Sequence, residues 1–168
     1  MRLITYCLMP NHWHLVLYPR DDRSMGSYMK WITQRHTQHW HIEHKSIGTG
    51  HLYQGRYKSF PVESNEYLIQ LIRYVERNPL RARLVSRAEA WQWSGLWRRM
   101  CGADKGKRLL CEIPTELPHD YLAWVNEKED EEALRDIRSS IAHNTPYGSD
   151  AWTGGLMRRK SERNGGVE

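Results

Sequence analysis

Two short patterns in this chain could do chemistry. The first is His12-Trp13-His14. On an extended strand, side chains alternate between faces, so His12 and His14 share one face, with Trp13 on the other. Imidazoles about 7 Å apart along a strand can converge on one divalent ion. The same spacing also suits structural or surface histidines, and H-x-H alone does not separate these readings. The second pattern is Tyr74 with Asn78, four residues apart and so on one face of a helix. A phenol can act as a nucleophile and form a covalent ester when a metal or a base assists it. An amide oxygen is a hard ligand for Mg²⁺ or Mn²⁺ and can complete a site begun by two histidines. A helix tyrosine at the edge of a core is the bland alternative. Arg73, Arg77, Arg81, Arg83 and Arg87 crowd the same segment. Such charge beside a nucleophile suits a phosphodiester substrate, and otherwise forms a solvated basic face.

The elements that must carry these residues follow from the pattern. Residues 2–8 and 12–18 are β-rich runs joined by Met9-Pro10-Asn11, which predicts a β-hairpin. Met25, Tyr28, Met29 and Ile32 recur at helical spacing after a Ser24 or Ser27 cap, predicting a helix to about His44. Residues 51–62 alternate enough to predict another strand, with Arg56 and Lys58 on one face as phosphate contacts or a plain surface pair. A second helix starts near Ser64, buries Leu68, Leu71, Ile72 and Val75, and ends or bends at Asn78-Pro79. Trp91 to Trp97 suggests aromatic packing outside the sheet, and residues 102–108 a basic loop. A helix is expected from Tyr121 to about His143, carrying the acidic run Glu127–Glu132. A last short helix begins near Ser149, and the tail from Arg158 is expected to be disordered. His36, His39, His41 and His44 are not spaced as a three-ligand zinc site and are read as exposed helix histidines.

Composition narrows the classes of partner. Among the 168 residues, 1–111 hold 18 Lys+Arg against 8 Asp+Glu, whereas 112–168 hold 7 against 12. Basic charge together with 8 Trp, 9 Tyr and one Phe points to a polyanion bearing flat bases. Mean hydropathy is −0.78, and no apolar run is long enough to span a bilayer, so no membrane partner is expected. Three cysteines without a C-x-x-C pair, and a first segment that runs straight into patterned sequence with no secretory leader, predict a cytoplasmic location.

Four ordered blocks carry a family resemblance. Met9-Pro10-Asn11-His12-Trp13-His14-Leu15-Val16-Leu17 resembles the M-P-N-H-x-H-L-L-L signature of the REP-associated tyrosine transposases, in the insertion-sequence-200-like branch of the HUH nucleases. Gly50 to Ser59 resembles G-H-L-W-Q-G-R-F-K-S, Arg73 to Ala82 resembles R-Y-I-E-x-N-P-V-R-A, and Trp91 to Ser94 resembles W-P-W-S. The resemblance covers roughly residues 3–100. The stretch from Ile137 to Trp152 is also similar to a C-terminal extension of some members.

The resemblance implies an α+β, ferredoxin-like antiparallel sheet with helices on one face, plus a helical C-terminal extension. It divides the chain into a catalytic domain (1–100), a linker (101–120) and the extension (121–168). It implies that His12, His14 and Asn78 hold a divalent cation, Mg²⁺ or Mn²⁺, and that Tyr74 attacks the phosphorus of single-stranded or hairpin DNA. A 5′-phosphotyrosyl intermediate and a free 3′-OH would follow. Arg56, Lys58, Arg73, Arg77 and Arg81 are the expected DNA contacts. Family members open with a strand and a helix before the hairpin, so the first β-α unit is expected to be missing, leaving an unpaired apolar edge on the histidine-bearing strand. A catalytically inactive remnant that still binds hairpin DNA is the alternative, with a water-using phosphodiesterase behind it. Monomer and homodimer are both open.

Overall fold

The computed structural model describes residues 1–21, 24–101 and 109–164. Its class is α+β. Strands β1 (Arg2–Leu8) and β2 (Trp13–Tyr18) form a two-stranded antiparallel sheet, followed by helices α1 (Ser24–Glu43), α2 (Glu66–Glu76), α3 (Asn78–Arg81), α4 (Gly95–Cys101), α5 (Tyr121–Asn126), α6 (Glu131–His143) and α7 (Asp150–Asn164). No helix among the described residues is long and apolar enough to cross a membrane.

The chain divides into two compact units. One comprises Met1–Arg2 and Leu17–Lys58, the other Leu3–Val16 and Ser59–Glu168. Helices α5 and α6 belong to the same unit as α2.

That larger unit is built on β1 and α2. The turn closes where the Met9 N–H donates to the His12 carbonyl at 2.8 Å. Ile4, Thr5, Tyr6 and Cys7 are buried in succession, without the alternation of a sheet that has one wet face. Both edges of β1 are in use. Opposite β2, the Leu8 N–H donates to Trp93 O at 2.9 Å, the Trp91 indole donates to Leu8 O at 2.9 Å, and the Cys111 N–H donates to Leu3 O at 2.8 Å. The Trp91–Ser94 segment therefore lies along β1. Gly95 follows it because a Cβ there would sit 2.2 Å from Thr5 Oγ1 and 3.1 Å from the Tyr6 nitrogen. Among the described residues, β2 pairs with β1 alone.

Helix α2 begins where the Asn65 side chain accepts from the Tyr67 N–H at 3.1 Å. Its Leu68, Leu71, Ile72 and Val75, at positions i, i+3, i+4 and i+7, join Ile4, Cys7 and Val16 of the hairpin in one core with Leu134, Ile137 and Tyr147. Arg77 alone separates α2 from α3, since Pro79 has no N–H to give a continuing helix.

Three expectations need correction. Residues 51–62 are not a strand; only Val62 forms an isolated bridge, with Tyr147. Gly55 interrupts the alternation, and among the described residues backbone pairing is limited to the end of the segment, where the Tyr147 N–H donates to Pro61 O at 2.9 Å. The helix expected from Tyr121 to His143 is broken into α5 and α6. Asp130 accepts from the Glu132 and Ala133 N–H groups at 3.0 Å each, so it caps α6 and forces residues 127–130 into a turn. The tail expected to be disordered from Arg158 continues α7 to Asn164, while 165–168 lie outside the described residues. The expected basic loop at 102–108 lies outside them too.

The smaller unit holds α1, with Met29 its one buried residue. His36, His39 and His44 are exposed, as expected. Each of several histidines there has a local partner: His36 Nδ1 lies 2.6 Å from the Tyr53 hydroxyl, His41 Nδ1 lies 2.9 Å from Ser46 Oγ, and the His44 ring stacks on Trp40 at 3.8 Å.

Candidate active site

The hairpin and α2 bring three predicted side chains together. The rings of His12 and His14 have centroids 5.0 Å apart and nearly perpendicular planes. The His14 and Tyr74 rings stand 6.0 Å apart, edge to face. Two imidazoles bound to one ion through nitrogens at about 2.1 Å would have their centres roughly 5 Å apart, so this pair fits a shared cation. The protonation states fit as well. His12 Nδ1 lies 2.7 Å from Asn11 Oδ1, an acceptor, a contact that a proton on Nδ1 satisfies while leaving Nε2 for a ligand. Burial, then His12 and Arg81, push His14 down to about 4, which keeps its ring neutral and able to ligate at ordinary pH. Among the described residues, no group of three or more His, Cys, Asp or Glu could hold a metal, so a third protein ligand here would be of another type.

Asn78 is that type, and its surroundings are specific. Its Oδ1 accepts from Arg81 Nη2 at 3.2 Å, while its Nδ2 is buried with no hydrogen-bond partner. A guanidinium offers only donors, so it dictates that the oxygen face Arg81. The amide oxygen has a second lone pair available for a cation.

Arg81 touches more of the site than any other predicted residue. Its guanidinium carbon lies 4.2 Å from the centre of the Tyr74 ring. Nη2 also donates to the Tyr74 carbonyl at 3.1 Å, and Nη1 donates to Glu129 Oε2 at 2.5 Å. The neighbouring arginines turn the same way. Arg73 is buried, lies 4.3 Å over the Trp124 ring and donates to Glu127 O at 3.0 Å. Arg77 donates from Nε to Glu127 O at 2.8 Å and stands 3.6 Å from Glu129 Oε2. Arg73, Arg77 and Arg81, the expected phosphate contacts of α2–α3, all contact the 127–129 segment in this structure. Arg56 and Lys58 lie exposed in the other unit.

Beneath the site, Glu76 is fully buried. Its carboxyl oxygens accept from Thr5 Oγ1 and the Tyr121 hydroxyl, each at 2.7 Å. Burial raises its pKa, and the two hydrogen bonds oppose that rise. Burial also raises the Cys7 thiol to about 12, so it is an inert core residue. Sequence reasoning missed Glu76, Glu129 and Tyr121. Glu76 could have been noticed as a carboxylate inside the Arg73–Ala82 block; the other two gave no local signal.

Residues 1–78 match the family model of IS200-like transposases. The match holds the hairpin histidines, Tyr74 and Asn78, and it supports a transposase function acting on DNA. No curated protein and no solved structure matches the chain.

Proposed function

We propose that this protein is a tyrosine transposase of the REP-associated kind, which cuts and rejoins single-stranded DNA at hairpin sequences. One observation carries the reading: the Tyr74 ring stands 6.0 Å from His14, whose ring is 5.0 Å from that of His12. His12, His14 and Asn78 would hold Mg²⁺ or Mn²⁺, which when bound polarises the scissile phosphate. The Tyr74 oxygen attacks phosphorus and loses its proton. The bond from phosphorus to the 3′ oxygen breaks, and that oxygen leaves as a 3′-hydroxyl. The phosphate stays on the tyrosine as a 5′-phosphotyrosyl ester. The ester conserves the bond, so a 3′-hydroxyl can reverse the step and join strands without ATP. Arg56 and Lys58 are assigned to the DNA backbone as exposed cations.

Incubating the protein with Mn²⁺ and labelled single-stranded hairpin DNA, followed by denaturing electrophoresis, tests this. A covalent adduct is expected that disappears in Tyr74→Phe. Cut DNA without an adduct would make the protein a water-using phosphodiesterase. Retarded but uncut DNA on a native gel would make it a binding remnant.

A further inference from the structure

We infer that Glu129, acting through Arg81, is a positioning residue for Tyr74 and Asn78, so that the turn at 127–130 sets the geometry of the nucleophile. This rests on the transposase reading for its activity test, and goes beyond it by assigning a role to a segment outside the matched residues 1–78.

The guanidinium of Arg81 is fixed at four points. One nitrogen is held by Glu129 Oε2 at 2.5 Å, and the other donates to the Tyr74 carbonyl at 3.1 Å and Asn78 Oδ1 at 3.2 Å. Its flat face covers the Tyr74 ring at 4.2 Å. A planar fork can make these contacts at once, whereas a lysine ammonium cannot. The Tyr74 phenol and the Asn78 amide are therefore oriented by one group, and that group is anchored from the far side by Glu129. The same carboxylate oxygen lies 3.6 Å from Arg77 Nε. Without Glu129, two neighbouring cations would face each other with no counter-charge, and Arg81 would be driven off the ring. The Glu129 side chain is only 8% exposed, so its negative charge is spent on these arginines and not on solvent. Its placement is no accident of a loose loop: the Asp130 cap fixes the turn on one side, and the Glu127 carbonyl is pinned by Arg73 and Arg77 on the other.

Four variants test the inference: Glu129→Gln, Glu129→Asp, Arg81→Met and the double variant Glu129→Gln with Arg81→Met. The first measurement is the single-turnover rate of adduct formation on Mn²⁺-loaded protein, across DNA concentrations. Glu129→Gln is expected to slow the covalent step about tenfold while the half-saturating DNA concentration moves less than about twofold. Glu129→Asp recovers most of the rate. The double variant is no slower than Arg81→Met alone, because Glu129 acts through that arginine. Matching losses of rate and DNA affinity would instead make Arg81 a phosphate contact and overturn the inference, as would additive losses in the double variant. The second measurement needs no activity: the aromatic ¹H–¹³C spectrum, with the Tyr74 ring assigned by Tyr74→Phe. Glu129→Gln is expected to shift the Tyr74 ring signals and leave those of Tyr147 in place. If wild type forms no adduct, the transposase reading fails, and the ring signals still decide the positioning. Unmoved Tyr74 signals would overturn it.

Discussion

Two sets of basic residues were expected to meet phosphate, and the structure treats them in opposite ways. Arg73, Arg77 and Arg81 of α2–α3 turn onto the 127–129 turn and the rings of Trp124 and Tyr74. Arg56 and Lys58 lie exposed in a segment without regular secondary structure. The difference lies in exposure: one set is drawn onto an acidic segment about fifty residues downstream, and the other stays at the surface. Dense arginine beside a tyrosine can thus serve as internal scaffolding.

The largest expected effect that would break this comparison is on stability. Arg73→Ala should cost about 3 kcal/mol in urea unfolding, because it removes a buried side chain that stacks on Trp124 and donates to the Glu127 carbonyl. A loss under about 0.5 kcal/mol would place Arg73 with the surface residues. Next comes pH. His14 takes up its proton near 4 in the folded chain and near 6.5 when unfolded. Between those values the unfolded chain binds more protons, so acidifying from 6.5 towards 4 should remove up to about 3 kcal/mol of stability. His14→Phe should flatten that part of the stability curve, and an unchanged slope would contradict a half-buried neutral ring. The smallest effect belongs to the exposed pair. Arg56→Ala and Lys58→Ala should each change stability by less than about 0.5 kcal/mol while flattening the salt dependence of DNA binding by about one unit of slope. Arg73→Met should leave that slope unchanged. A reversed result would exchange the roles of the two sets.

Much of the site could be read from local spacing, because its parts lie on short regular elements. Period two put His12 and His14 on one face, and period 3.6 put Tyr74 beside Asn78 and placed Leu68, Leu71, Ile72 and Val75 in the core. The α+β class was implied by the family resemblance, and the structure has it. What the spacing could not reveal were contacts across long stretches of chain. Glu129 reaches Arg81 over 48 residues and Tyr121 reaches Glu76 over 45. Within an acidic run, nothing marks Glu129 as buried, and a solvated helix face was the natural expectation. Only the Asp130 cap, which breaks that helix, turns the run into a counter-charge. The segment at 51–62 failed differently: its weak alternation suggested a strand, but a strand also needs a neighbour, and neighbours are not written in local pattern.

The central claim is that His12, His14 and Tyr74 surround one cation. Titrating Mn²⁺ into the protein while recording aromatic and imidazole NMR signals tests it most directly. One equivalent should broaden the His12, His14 and Tyr74 rings together, and His12→Ala should abolish the broadening. Broadening confined to the histidines of α1, or none near Tyr74, would contradict the account.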